Sequence, residues 1–172
     1  FRDGIELAIA PFRRTPPESQ SPRAKLTNYI NVTLADMHVK AQNPDAWAGL
    51  LDINGNLNEG TGQNMWLVRN GALYTPRREM ILEGVSRETV IDVAAEIGID
   101  VHEVDLDLFD AYTADEIFLS STSLCVCPVR SIDNREPASG QIPGPVTRRI
   151  IDGYKALVDF DFEQQYLNFL DD

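Results

Sequence analysis

Two Asn-Gly pairs, Asn54-Gly55 and Asn70-Gly71, constrain this chain more than any other feature. Asn-Gly between apolar runs is the strongest short hairpin signal, because a two-residue turn that matches strand twist needs positive φ at both central positions. The pairs bracket a meander. Trp47 to Ile53 is apolar and extended, and Asn64-Met-Trp-Leu-Val-Arg69 and Ala72-Leu-Tyr-Thr75 are strands joined at Asn70-Gly71. The segment Asn56-Leu-Asn-Glu-Gly-Thr-Gly62 reads as a polar, Gly-containing loop that carries Glu59 between the strands. On the N-terminal side, Gly4 to Pro11 reads as a strand buried on both sides. A Pro-rich loop follows, and then a helix from Leu26 to about Gln42, with Ile30, Leu34, Met37 and His38 or Ala41 at helical spacing. Asn43-Pro44-Asp45 breaks that helix.

The C-terminal half mixes both periods. Gly84-Val85-Ser86 opens a helix with Ser86 as N-cap, Glu88 in the first turn, and Val90, Ile91, Val93, Ala94 and Ile97 as the apolar face. Gly98 ends it. Ile99 to Leu106 reads as a strand, Leu108 to Thr113 as a short helix, and Asp115 to Thr122 and Val126 to Ile132 as strands. Pro145 stands at the start of a helix running Thr147 to Asp159, and Phe160 to Leu170 is an amphipathic final helix. Strands and helices alternate irregularly, with hairpins among them. The sheet is therefore mixed and the class α+β or α/β.

Length and charge narrow the function. The 172 residues suffice for one domain with a sizeable core. A net charge of −12 with no basic run argues against nucleic acid, whose phosphates an acidic surface repels. No apolar stretch is long enough to cross a membrane as a helix. Cys125 and Cys127, one residue apart, are too close for an ordinary disulfide and lack metal-ligand spacing; they read as two buried thiols in a reducing cytoplasm. His38 and His102 stand alone, so no metal site is expected.

Three features point to chemistry. Lys25 lies in Pro22-Arg-Ala-Lys-Leu-Thr-Asn-Tyr-Ile30, at a loop-to-helix junction, where its stem can be packed and its amine turned into a cleft. A desolvated lysine amine loses its proton near neutral pH and forms a Schiff base; the bland alternative is a solvated surface lysine. Glu59 offers a carboxylate beside glycines that permit close approach of a ligand. The helix start at Val85-Ser86 offers unpaired N–H groups to a phosphate, and Thr122 and Ser123 at a strand end offer hydroxyls to the same anion. An aldehyde-trapping amine, an acid and a phosphate seat are the requirements of pyridoxal 5'-phosphate. Each is also ordinary taken singly, since a turn Glu is usually solvated and a Ser at a helix start usually caps it.

Six ordered stretches carry a family resemblance. They are Arg13-Arg-Thr-Pro-Pro leading to Lys25 and Asn28-Tyr29, Leu57-Asn-Glu-Gly-Thr-Gly-Gln-Asn-Met-Trp66, Val68-Arg-Asn-Gly-Ala-Leu-Tyr-Thr-Pro76, Leu82-Glu-Gly-Val-Ser-Arg-Glu-Thr-Val90, Asp115 to Thr122 with Pro128-Val129, and Gly140 to Thr147. Together they resemble the C-terminal domain of the class IV aminotransferases, the fold-type IV pyridoxal-phosphate enzymes, over nearly the whole chain. The resemblance implies a mixed sheet or pseudo-barrel with flanking helices. It implies Lys25 as the internal-aldimine lysine and the acid/base of amino transfer, and Glu59 as partner of the pyridine nitrogen. It also implies Tyr29, Asn64, Val85, Ser86 and Thr122 around the cofactor, with Thr122 and Ser123 facing substrate. Trp66 stands where family members often have Phe, and Leu124-Cys-Val-Cys127 departs from the family strand before Pro-Val.

The expected activity is a transaminase that moves an amino group between an amino acid or primary amine and a 2-oxo acid, in a cytoplasmic homodimer. The motifs look nearest to (R)-selective amine transaminases and branched-chain aminotransferases. A lyase of the aminodeoxychorismate type, or a catalytically incomplete fragment, is the alternative. The resemblance further implies that residues 1–172 are the second of two domains and that an N-terminal domain, absent here, supplies an arginine to the cofactor phosphate and much of the substrate pocket.

Overall fold

A computed structural model describes residues 1–169. Eight strands form one mixed sheet: β1 (Ile5–Arg13), β2 (Trp47–Leu51), β3 (Leu57–Gly60), β4 (Asn64–Arg69), β5 (Ala72–Thr75), β6 (Val101–Glu103), β7 (Glu116–Ser121) and β8 (Cys125–Ile132). The strand order is β3-β2-β1-β8-β7-β4-β5-β6, and β3 also pairs with β4 through Glu59 and Asn64. Six strands thereby close into a ring, with β5 and β6 continuing from the far end of β4. β1 runs parallel to both β2 and β8, while β4 and β7 pair antiparallel, so the sheet is mixed as the sequence pattern requires.

Period-2 alternation sorts the strand side chains onto two faces. Met65, Leu67, Ile117 and Leu119 join Leu7, Leu51, Leu57, Val129 and Ile132 in one core. The intervening Trp66, Val68 and Phe118 join a second core under α2 (Val85–Glu96) and α4 (Pro145–Val158). α1 (Ile30–Gln42) packs Val32, Ala35 and Val39 over Ala10, Ala48 and Leu50. Among the described residues there are also two short helices, α3 (Leu108–Tyr112) and α5 (Phe162–Asn168), and a 3-10 turn at Arg78–Met80. Gly49 marks how full the inner core is, since a Cβ there would come 2.7 Å from Met65 Cε.

Several expectations are corrected. α1 begins at Ile30, not Leu26, and its buried face is Val32, Ala35 and Val39, whereas Ile30 and Met37 are each 62 % exposed and Leu34 44 %. The buried stripe is out of phase with the expected one, because small and β-branched residues fit against the alanines of β1 and β2. Asn56–Gly62 is not all loop: Leu57–Gly60 forms β3, so Glu59 sits on a strand. Buried Leu57 anchors it, and the polar Asn58 donates to the Met80 carbonyl at 2.6 Å. Gly84, not Ser86, is the N-cap of α2. Within Ile99 to Leu106 only Val101–Glu103 is strand. Cys127 is buried and Cys125 half-buried, both as free thiols. Asn70-Gly71 turns with φ of 51° and 80°, the positive pair its sequence demands. The expected final helix falls on α5, and Leu170 lies outside the described residues.

Candidate active site

One cavity of about 190 Å³ opens where β3, β4 and β7 meet the loop before α1 and the start of α2. Lys25, Tyr29, Glu59, Asn64, Val85, Ser86 and Thr122 all line it. Seven residues chosen from a linear sequence thus share one space. Ser123 does not line it: its hydroxyl lies 3.2 Å from that of Ser121, and its carbonyl accepts from Tyr166.

The sheet floor is fixed by side-chain bonds to the chain that leads into α2. Asn58 donates to the Met80 carbonyl, Asn64 donates to the Leu82 carbonyl at 2.9 Å, and Glu59 Oε2 accepts the Leu82 N–H at 3.0 Å. Three side chains from one short segment therefore place the helix start. Gly84 is required at that start, because a Cβ would sit 2.4 Å from Asn64 Oδ1. No side chain caps α2, so its first N–H groups remain available at the cavity. Together with the positive end of the helix dipole they form a seat for an anion. Ser86 sits one residue into the helix, with its side chain buried at the cavity wall.

Glu59 is only 7 % exposed. Its Oε1 accepts from Arg14 Nε at 2.7 Å, with both side chains largely out of solvent. Arg14 is the site residue that sequence reasoning passed over. It lies within the quoted Arg13-Arg-Thr-Pro-Pro stretch, but a partner 45 positions away leaves no periodic trace. Ser120 and Ser121 at the end of β7, and Thr61 and Gln63 in the β3–β4 turn, also line the cavity unpredicted.

Lys25 differs from all of these. It sits in irregular chain five residues before α1 rather than at the helix junction, is exposed, and makes no hydrogen bond or ion pair among the described residues. Trp66 is fully buried in the core and does not line the cavity, so this departure from Phe is not a direct contact to substrate.

The combination is a free amine, a paired acid and an uncapped helix start around one small cavity on a closed mixed sheet, and comparison with known proteins identifies the class. Residues 2–132 match the family described as amino-transferase class IV. The Escherichia coli K12 branched-chain-amino-acid aminotransferase is 33 % identical over 168 residues, 96 % of this chain and 54 % of that protein. The T.th. branched-chain amino acid aminotransferase, complexed with N-(5'-phosphopyridoxyl)-L-glutamate, superposes with a TM-score of 0.83 at 36 % identity, covering 89 % of this chain and 50 % of that one. The Thermoproteus uzoniensis branched-chain aminotransferase with norvaline gives a TM-score of 0.85 at 34 % identity, over 91 % of this chain and 52 % of that one. The chain belongs to the class IV aminotransferase family. It spans about half the length of the relatives it matches. Among the described residues no helix is long and apolar enough to cross a membrane.

Proposed function

We propose that this chain is the lysine-bearing, phosphate-seating domain of a pyridoxal-phosphate-dependent transaminase, and that a branched-chain amino acid and a 2-oxo acid are its substrates. The carrying observation is that Lys25, Glu59, Thr122 and the uncapped start of α2 line one cavity. The donor set suits the cofactor: an anion seat at Val85 and Ser86, a hydroxyl at Thr122, a carboxylate within a fixed frame, and an amine free to react. The branched-chain substrate class is favoured by the names of the relatives. An arginine from a further domain as phosphate ligand, and a homodimer that completes the pocket, belong to the same proposal.

When bound, pyridoxal 5'-phosphate supplies the aldehyde that captures an amine and the ring that takes up electrons from the carbon losing its proton. The chain's own residues do the rest. Val85 and Ser86 donate backbone N–H groups to the phosphate, and Thr122 adds its hydroxyl. Glu59 accepts from the protonated pyridine nitrogen while Arg14 and the Leu82 N–H hold its carboxylate still, so the acceptor needs no rearrangement during reaction. The Lys25 amine would hold the cofactor's aldehyde carbon with loss of water and, once an incoming amine takes its place, its free Nζ would take up a proton and give it back. Lys25 forms no ion pair among the described residues, so no carboxylate holds its amine away from the reaction.

Borohydride reduction of the cofactor-loaded full-length protein, followed by peptide mass mapping, is expected to place the pyridoxyl group on Lys25. Labelling of Lys40 or Lys155 instead would sink the assignment. Amino transfer from leucine or valine to a 2-oxo acid is the expected activity, and pyruvate release with no acceptor would point to a lyase.

A further inference from the structure

Trp66 and Phe118 face each other across β4 and β7, with ring centroids 5.6 Å apart and planes within 8°. Trp66 is fully buried, so its indole N–H needs an acceptor, and it finds one in Ser120 Oγ at 2.9 Å. An indole N–H only donates. The Ser120 oxygen is therefore the acceptor, and its own proton must go elsewhere. Ser120 is 1 % exposed and lines the cavity, and no acceptor among the described residues takes that proton.

Strand register places this hydroxyl. Glu59 is the cross-strand partner of Asn64, and Asn64 is the partner of Ser120, so the three form a row on one face of β3, β4 and β7. Two strand spacings, about 10 Å, separate its ends. The acid stands at one end. At the other, Ser120 precedes Ser121 and Thr122 along the cavity wall. A buried hydroxyl with its oxygen already engaged and its proton unplaced is a directed donor, and an anionic oxygen is the partner it favours most.

We propose that Ser120 donates a hydrogen bond to an anionic oxygen of a phosphate monoester bound in this cavity, and that Trp66 is a positioning residue that aims the hydroxyl. The identity of that ester as pyridoxal 5'-phosphate rests on the reading above. Trp66 thus acts on the ligand through one serine rather than by contact.

The test is titration of the full-length apoprotein with pyridoxal 5'-phosphate, and separately with inorganic phosphate, alongside thermal unfolding. Ser120→Ala is expected to weaken both ligands about tenfold, and Ser120→Thr to recover most of the loss. Trp66→Phe keeps a ring against Phe118 but removes the N–H donor together with part of the buried indole, a packing loss that the unfolding measurement reads separately; it is expected to weaken binding about threefold. In the double variant the loss should equal that of Ser120→Ala alone, which a purely structural role for Trp66 would not produce. Wild-type affinity in Ser120→Ala overturns the proposal, and additive losses remove Trp66 from it. Binding of inorganic phosphate that is Ser120-dependent, with no binding of pyridoxal 5'-phosphate, would sustain the serine's role and overturn the cofactor reading. A wild-type protein that binds neither ligand overturns both.

Discussion

The cavity wall that carries Glu59, Asn64 and Ser120 is a sheet; the wall that carries Lys25 is a loop. On the sheet side the three residues are 7 %, 5 % and 1 % exposed, and each is tied to a neighbour by at least one hydrogen bond. On the loop side nearly every residue from Ser21 to Ile30 is exposed. The ties there are peripheral: Asn28 to Gln20, Asn31 to the Arg13 carbonyl, and an ion pair of Arg23 with Glu83. The difference follows the chemistry. On the proposed reading, groups that must already stand where charge develops are locked before any ligand arrives. On that reading the Lys25 amine must bond, release and carry a proton, and it sits where displacement breaks nothing.

That contrast is broken most directly at Lys25. Lys25→Ala in the full-length protein is expected to abolish steady transamination while shifting unfolding by less than about 0.5 kcal/mol, the range for an exposed, unpaired site. A large loss of stability would show that the loop wall is as built-in as the sheet.

Glu59→Gln tests the other wall, and there both readouts should move. Arg14 would keep its charge in a site where its side chain is 13 % exposed, and stability should fall by about 3 kcal/mol. Turnover should fall further still, through loss of the negative charge that would keep the pyridine nitrogen protonated. Near-normal turnover would remove Glu59 from that role. Thr122→Ala, at the turn after β7, should cost about 1–3 kcal/mol in cofactor binding with little change in unfolding; unchanged affinity by direct titration would take the hydroxyl out of the seat.

The smallest effect concerns the helix that braces this turn. Tyr166 of α5 donates to the Ser123 carbonyl at 2.5 Å, and α5 is held to α4 by Glu163, which accepts from Arg148 at 2.7 and 2.9 Å and from Lys155 at 2.7 Å. Arg148 foremost, then Lys155, holds the Glu163 carboxyl below its ordinary value of 4.5 against the opposing effect of burial. A carboxyl whose folded pKa is depressed stabilises the fold above its unfolded pKa, and that contribution disappears as pH falls through the folded one. Glu163→Gln should therefore flatten the decline of stability below about pH 4.5 and leave its shape at neutral pH unchanged, as read from urea unfolding across pH.

Much of this was legible. Asn70-Gly71 sets a two-residue turn, whereas Asn54-Gly55 lies within a five-residue connection from β2 to β3 with positive φ at Gly55 only; β4 and β5 match their sequence bounds, and the motif residues meet in one cavity apart from Ser123. What escaped reading depended on distant partners. β3 was hidden because Asn58 and Glu59 are polar, and only the carbonyl of Met80 and the amide of Leu82 make their burial tolerable. The phase of α1 was ambiguous because Ile30, Leu34 and Met37 form as good a helical stripe as the one that packs. Ser86 resembled a cap, yet the close approach of Asn64 reserves the cap position for glycine.

The ring of six strands closes through the pairing of Glu59 with Asn64, two residues that also line the cavity. A change that parts them would do more than disable a site. It would leave β3 and the adjoining end of β4 as open borders, each with unmated amides and carbonyls able to recruit a strand from another molecule. Variants at this seam should therefore be sorted by their tendency to self-associate as well as by their rates, because two residues that line the cavity also keep the chain from templating its own aggregation.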